Sequence, residues 1–292
     1  MALANTALWR IIQTIGRLFY NIFPPSLSTN LACSKVGKYI ASKFMPTTSA
    51  IYRCQYGIKL KLLPDEAFES GVLHTGIINK FETDLLIKYL KANDIFVDVG
   101  TFVDGWHSIL ASKIVGVKGQ VFSFEPMPQY FSRFAENINL NNCLNITAER
   151  IALSDNNGTA TFHELGSNSS LLPDERMKTT LSITVRTQTL DSYVMGREIK
   201  KIDFLKIDVE GAEPLVIKGA TETIKNKVNY LLVEVIEQFL VKAGSSRNEL
   251  IKTIEDYGFK SFIITRTGLK PWKTGMVSET LNMFFIRNTQ FL

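Results

Sequence analysis

The sequence predicts an α/β protein with a mostly parallel, seven-stranded sheet and helices on both of its faces. Short apolar runs alternate with amphipathic helical stretches from Ile95 onward, a pattern typical of parallel strands joined by crossover helices. Apolar residues make up 45% of the chain and charged residues 21%, which indicates a globular protein with a large buried core. Glycines and acidic side chains follow several predicted strands, where open α/β sheets bind their ligands.

The predicted strands and helices alternate in the manner of a Rossmann-like fold. The seven strands are Ile95–Val99, Gln120–Phe124, Ile146–Leu153, Phe204–Asp208, Tyr230–Val235, Ser261–Thr265 and Met283–Arg287. The helices are Phe81–Leu90, His107–Ile114, Tyr130–Asn139, Glu213–Lys218 and Arg247–Tyr257. Between the third and fourth strands, Thr159–Leu165 and Ser182–Thr187 flank a polar loop, so we expect a β insertion there.

The first 76 residues are expected to form a basic extension that precedes the main domain, residues 77–292. Residues 1–64 contain eight Lys or Arg and no Asp or Glu, so the rest of this chain of net charge +5 is acidic. A nucleic-acid-binding domain would carry its basic residues along a groove of the core fold, so no nucleic-acid partner is predicted. Within the extension, Ile51–Leu63 alternates polar and apolar residues around Gly57 and predicts a β-hairpin.

The extension also contains a predicted amphipathic helix that ends at Pro24–Pro25. Its apolar runs are far shorter than the ~20 residues of a membrane span, and it lacks the features of a signal peptide. Two interpretations stay open: the helix packs on the main domain, which we favour, or residues 1–64 contact an anionic membrane surface. The apolar face comprises Leu8, Ile11, Ile12, Ile15, Leu18, Phe19 and Ile22.

The cysteines indicate a reducing compartment. Cys33, Cys54 and Cys143 are odd in number and no two have C-x-x-C spacing, which disfavours both a disulfide framework and a zinc site. We therefore expect a cytoplasmic protein.

The first candidate binding turn follows the strand Ile95–Val99 and contains Gly100, Thr101 and Gly105. A glycine turn lets the backbone approach a ligand, and the helix after it offers free N–H groups to a carboxylate. Asp98 ends an otherwise apolar strand, so its carboxylate needs a partner, and the ammonium group of a ligand would be one. Such turns also occur for purely structural reasons, so this turn alone is a weak signal.

The second candidate turn begins at Glu125 and Pro126, directly after the next strand. An acidic residue at this point can accept both hydroxyls of an adenosine ribose, which NAD and S-adenosylmethionine share. A comparison with the first candidate turn helps to separate these two cofactors, because that turn has only two glycines and no Lys or Arg to bind the pyrophosphate of NAD. It therefore favours the amino-acid tail of S-adenosylmethionine over NAD.

The third candidate turn places Asp208, Glu210 and Glu213 close together after the strand Phe204–Asp208. Glu210 and Glu213 have a structural alternative, because acidic residues in the first turn of a helix stabilise its dipole. Asp208 ends a buried strand, so a purely structural role explains it less well.

Four motifs stand out along the predicted domain: Phe204–Glu213, Phe124–Pro128, Ile151–Asp155 followed by Gly158, and Thr189–Asp191. They resemble the motifs of the FkbM family, which are class I methyltransferases that use S-adenosylmethionine. The resemblance covers Ile77 to Arg287, and one departure is a first turn one residue longer than is usual in that family.

The resemblance implies transfer of a methyl group from S-adenosylmethionine to a hydroxyl of a sugar, glycan or natural product. It implies that Asp98, Gly100 and Gly105 hold the amino-acid end of the cofactor, Glu125 the ribose and Asp155 the edge of the adenine. The full predicted cofactor-binding set is Asp98, Gly100, Thr101, Gly105, Glu125, Pro126, Asp155 and Asp208.

A hydroxyl is a poor nucleophile while protonated, so a general base is expected near the methyl group. Glu210 is our first candidate, followed by Glu234 at the end of the fifth strand and His107. Asp208, Glu210 and Glu234 could also form an oxygen-rich magnesium site, but acids at the rim of a sheet often cluster without an ion, so no metal is assigned. Two other functions stay open: an NAD-dependent oxidoreductase, and a non-catalytic module that binds glycans or membranes.

Overall fold

The computed structural model describes residues 48–63, 72, 76–164, 170–171, 181–276 and 282–288. The predicted amphipathic helix at residues 8–22, most of the basic extension and most of the polar loop 166–170 lie outside the described residues.

The main sheet is mostly parallel, as the sequence predicts for an α/β fold. Its strands are β3 (Ile95–Val99), β4 (Gln120–Phe124), β5 (Ile146–Glu149), β9 (Ile202–Ile207), β10 (Val228–Glu234), β11 (Phe259–Thr265), β12 (Gly268–Pro271) and β13 (Asn282–Arg287). Their order in the sheet is β12-β11-β13-β10-β9-β3-β4-β5. The five strands β10, β9, β3, β4 and β5 run parallel, whereas β12 pairs antiparallel with β11, β11 with β13, and β13 with β10.

Helices cover both faces of this sheet because its central strands are apolar on both faces. On β3, for example, Phe96 belongs to one apolar cluster and its neighbour Val97 to the other, and both are buried. The helices are α1 (Lys80–Tyr89), α2 (Trp106–Val115), α3 (Pro128–Leu140), α4 (Leu190–Gly196), α5 (Glu213–Lys218), α6 (Thr221–Lys227), α7 (Glu237–Lys242) and α8 (Arg247–Asp256). Among the described residues, none of the helices has the length and apolar character needed to cross a membrane.

Among the described residues the main sheet has eight strands, whereas the sequence predicted seven. The additional strand, β12, is a four-residue edge strand that forms a hairpin with β11. It contains a glycine and a proline, which weaken the sequence signal of a strand. Proline has no N–H to donate, so it is tolerated at a sheet edge, where no neighbouring strand needs that hydrogen bond.

The predicted third strand is divided between two sheets. Its first half is β5, at the edge of the main sheet, and its second half, β6 (Ala152–Leu153), pairs with β8 (Leu181–Gln188). β8 also pairs antiparallel with β7 (Gly158–Glu164), which gives a second sheet of three strands at the position of the expected insertion. The chain therefore leaves the main sheet after Glu149, and Ala152–Leu153 form their strand hydrogen bonds within the second sheet.

A two-stranded hairpin, β1 (Ala50–Arg53) and β2 (Lys59–Leu62), packs on the main fold. The side chain of Asn137 on α3 accepts a hydrogen bond from the backbone of Lys61 at 2.7 Å, and that of Asn141 accepts one from Lys59 at 2.9 Å. Leu60 and Leu62 are buried in the same core cluster as Trp106 and Ile109 of α2. The hairpin is therefore part of the packed core, while the boundary at residues 76 and 77 stays a prediction.

Candidate active site

A cavity of about 200 Å³ lies at the carboxyl ends of β3, β4 and β9. Parallel strands bring their carboxyl ends to one edge, so residues distant in sequence line the same space. Of the predicted site residues, the lining includes Gly100, Thr101, His107, Glu125, Pro126, Asp208 and Glu210. Asp98, Gly105, Asp155 and Glu234 are not part of this lining.

Gly100 and Gly105 are required by close packing. Gly100 has a φ of +86°, and an added Cβ would lie 1.8 Å from the backbone oxygen of Asp208. Gly105 has a φ of +59°, and a Cβ there would lie 2.1 Å from the ring of Phe134. The first glycine thus joins two of the turns that border the cavity, whereas the second seats α2 against α3.

Glu125 links the first two turns. Its side chain is 5% exposed, Oε2 accepts a hydrogen bond from the backbone N–H of Phe102 at 3.0 Å, and Oε1 accepts one from Met127 at 2.9 Å. Burial raises the pKa of this carboxyl to about 7, although the two backbone donors oppose the rise. Because each carboxylate oxygen can accept more than one hydrogen bond, Glu125 can still accept two ligand hydroxyls.

Asp98 already has charged and polar partners within the protein. Its Oδ2 accepts a hydrogen bond from Ser108 at 2.6 Å, and its Oδ1 lies 3.7 Å from the Nζ of Lys206. The sequence suggested the ammonium group of a ligand as the partner, but the structure supplies the ammonium group of a lysine.

Lys206 is a site residue that the sequence reasoning missed. Its side chain is 3% exposed, it lines the cavity, and its Nζ donates a hydrogen bond to Asp208 at 2.8 Å. Burial would lower the pKa of this ammonium, but the charges of Asp208 and Asp98 outweigh burial and hold the pKa above its ordinary value. The signal was a lysine within the otherwise apolar run of residues 204–207 in β9, because a buried charge needs acidic partners.

Three carboxylates meet at the rim of the cavity. One oxygen each of Asp208, Glu210 and Glu234 lies within 4.8 Å of the others, a spacing that a divalent cation could bridge. Burial, followed by the charges of Asp208 and Glu213, raises the pKa of Glu210 to about 8. Burial and the same neighbouring acids raise the pKa of Glu234 well above its ordinary value. Within the part of the chain that the structure describes, Oε2 of Glu234 has no hydrogen-bond partner.

Glu213 has a structural role. Its side chain is 1% exposed, and Oε1 accepts hydrogen bonds from the backbone N–H groups of Val209 at 2.9 Å and Gly211 at 3.2 Å. It thereby fixes the turn that carries Glu210, whose φ of +55° is unusual for a residue with a side chain.

His107 lies in the first turn of α2 and faces the cavity. Its side chain is 6% exposed, and among the described residues its Nε2 has no hydrogen-bond partner. Burial, followed by the charge of Lys206, lowers the pKa of His107 well below its ordinary value, so the imidazole is neutral at pH 7. A neutral imidazole can accept a proton or a hydrogen bond.

Asp155 lies beside the cavity rather than in its wall. Its Oδ2 accepts a hydrogen bond from Lys218 at 2.8 Å, which lowers the pKa of the carboxyl. Ile151 and Leu153 line the neighbouring wall and make it apolar. The contact between Asp155 and adenine stays a prediction.

The fold is Rossmann-like, with a cavity at the carboxyl ends of parallel strands, which is where open α/β sheets bind their ligands. Residues 93–261, more than half of the chain, match the methyltransferase FkbM domain. The chain belongs to the FkbM family of methyltransferases, which use S-adenosylmethionine as the methyl donor.

Relatives of the chain include three methyltransferases. The hexuronic acid methyltransferase AglP of Haloferax volcanii is 32% identical over 52% of this chain and 59% of its own length. Methyltransferase sdnD of Sordaria araneosa is 28% identical over 66% of this chain and 88% of its own. The 2-O-methyltransferase NoeI of Sinorhizobium fredii is 30% identical over 42% of this chain and 56% of its own. The chain therefore spans less than two thirds of the length of AglP and of NoeI.

Proposed function

We propose that this protein transfers the methyl group of S-adenosylmethionine to a hydroxyl oxygen of a sugar or glycan. The observation that carries the proposal is that one cavity is lined both by Glu125 and by the acids Asp208 and Glu210. Glu125 suits the two hydroxyls of a ribose, and Asp208 with Glu210 suits the hydroxyl group of a methyl acceptor. The names of AglP and NoeI, a hexuronic acid methyltransferase and a 2-O-methyltransferase, support a sugar as acceptor.

The polar atoms of the cavity fit the cofactor. Oγ1 of Thr101 and Nε2 of His107 are buried without a hydrogen-bond partner among the described residues, so both are available to a ligand. Glu125 would hold the ribose, and the apolar wall at Ile151 and Leu153 would pack against the adenine, with Asp155 near its edge. Gly100, Thr101, Pro126 and Asp208 also line the cavity, while Gly105 would act through the packing of α2.

Glu210 is the proposed general base. S-adenosylmethionine supplies a methyl group on a sulfonium, which is a good leaving group, so the residues of the chain mainly orient the acceptor and take up its proton. Glu210 lines the cavity, and a pKa of about 8 suits a base that works near neutral pH. Glu234 is not part of the cavity lining, but one of its oxygens lies within 4.8 Å of one of Glu210, so Glu234 would act through Glu210. His107 remains the alternative base.

Calorimetry with S-adenosylhomocysteine and NAD tests the cofactor assignment. We expect binding of S-adenosylhomocysteine with one site per chain and no binding of NAD. Binding of NAD alone would instead indicate an oxidoreductase. Absence of binding by both would indicate a non-catalytic module.

We also propose a cytoplasmic location. Residues 1–64 would either pack on the core or contact an anionic membrane surface. Each Lys or Arg near anionic lipid adds about 1 kcal/mol, screened by salt. We favour packing on the core, which predicts no sedimentation with anionic vesicles at low salt. Sedimentation that is lost at high salt and on deletion of residues 1–23 would establish the membrane contact instead.

A further inference from the structure

Lys206 carries the only permanent positive charge among the described residues that line the cavity. It lies on β9 opposite Asp98 on β3, and paired positions of neighbouring strands present their side chains to the same face of the sheet. Taking a lysine out of water is costly unless acidic groups compensate for it. The position of this charge at the wall of the cavity therefore requires an explanation beyond packing.

The two acidic partners leave part of the ammonium group free for a ligand. An ammonium group has three donors. One is used by Asp208 at 2.8 Å, whereas Asp98, at 3.7 Å, is beyond hydrogen-bonding distance and acts through its charge. Asp98 is itself fixed by Ser108, whose hydroxyl also lies 2.8 Å from that of Ser123. This buried network holds Lys206 at the cavity wall.

We propose that Lys206 binds the carboxylate of the methionyl end of S-adenosylmethionine, and that Asp98 acts by positioning Lys206. The proposal rests on the cofactor assignment made above and reverses the role first given to Asp98, which was to receive the ammonium group of the ligand. Asp98 is 1% exposed and lies outside the cavity lining. The N-terminus of α2, which borders the cavity at His107, adds positive potential on the same side.

The test compares two ligands that differ at a single group. S-adenosylhomocysteine has the carboxylate, and S-adenosyl-3-thiopropylamine keeps the ammonium group but lacks the carboxylate. We expect the wild-type protein to bind the first about tenfold or more tightly than the second, as a charge-assisted hydrogen bond would provide. In Lys206→Met this preference should disappear, because affinity for the first ligand falls while affinity for the second is kept.

The controls separate ligand recognition from folding. Lys201→Met removes a lysine whose Nζ is 2.9 Å from Asp203, outside the cavity lining, and should keep the preference. If Lys206→Met fails to fold because Asp98 loses its counter-charge, the double variant Asp98→Asn, Lys206→Met removes both charges together. Asp98→Asn alone should weaken the preference between the two ligands, whereas a merely structural role for Asp98 would lower both affinities equally.

The results distinguish failure of this proposal from failure of the cofactor assignment. A preference that is unchanged in Lys206→Met, or equal affinities in the wild-type protein, would overturn the role of Lys206 and leave the cofactor assignment intact. Binding of neither ligand by the folded wild-type protein would overturn the cofactor assignment, and the role of Lys206 with it.

Discussion

Glu125, directly after β4, and Glu234, at the end of β10, are both buried acids at strand ends of one sheet, yet their surroundings differ. Both oxygens of Glu125 accept backbone hydrogen bonds, and burial raises its pKa only to about 7. One oxygen of Glu234 has no partner among the described residues, and burial with three acidic neighbours raises its pKa well above its ordinary value. The two backbone donors therefore stabilise the carboxylate form of Glu125, whereas Glu234 lacks a donor for one of its oxygens.

The largest expected effect is that of replacing Glu210, the proposed general base. Glu210→Gln keeps the shape of the side chain but cannot take up the proton of an acceptor hydroxyl. We expect turnover to fall by ~10²-fold or more, while affinity for S-adenosylhomocysteine stays unchanged. Single-turnover rates together with calorimetry measure both quantities. Full activity in Glu210→Gln, with loss of activity in His107→Ala, would move the role of base to His107.

The pH profile is the second test of the same region. Glu210 is protonated below its pKa of about 8 and can act as a base only above it. The wild-type rate should therefore rise by about tenfold per pH unit below that value and level off above it. In Glu210→Gln this rise should be lost. Because His107 is already neutral at pH 7, a rate that is flat between pH 7 and 9 would argue for His107 instead.

A smaller effect is expected on the side of Glu125. Glu125→Gln keeps a carbonyl acceptor for one of the backbone N–H groups of Phe102 and Met127, but loses the charge that would attract the ribose hydroxyls. We expect affinity for S-adenosylhomocysteine to fall by at least about tenfold, from the loss of charge-assisted hydrogen bonds of ~1.5–3 kcal/mol each. The exposed variant Asp84→Asn, whose partner Lys80 lies outside the cavity, is the matched control. Equal affinities in both variants would contradict the ribose assignment.

Glu125→Ala is the less informative substitution at this position. It would leave the backbone donors of Phe102 and Met127 without their present acceptor. Unsatisfied buried donors cost about 1–3 kcal/mol, so the melting temperature should fall together with the affinity. The sequence alone gave no reason to expect this loss of stability, because it does not show that both oxygens of Glu125 accept backbone hydrogen bonds.

Residue patterns predicted those parts of the fold that depend on local periodicity. The strands from Ile95 and Gln120 match the structure, because an apolar run between polar turns has little alternative to a buried parallel strand. The division of Ile146–Leu153 between two sheets was missed, because the partner strand β8 lies distant in sequence. Lys206 was missed for the same reason: its buried position depends on Asp98, which only the strand register places opposite it.

The smallest expected effect is that of removing divalent cations. Asp208, Glu210 and Glu234 have the spacing of a cation site, but a cation requires deprotonated ligands. The charge of Asp208 is already paired with Lys206, and a pKa of about 8 favours the protonated form of Glu210 at pH 7. Dialysis against EDTA should therefore leave turnover within about twofold of its starting value. Loss of turnover on dialysis, with recovery on addition of Mg²⁺, would show that these carboxylates bind a cation, and the proton of the acceptor would then have to pass to His107.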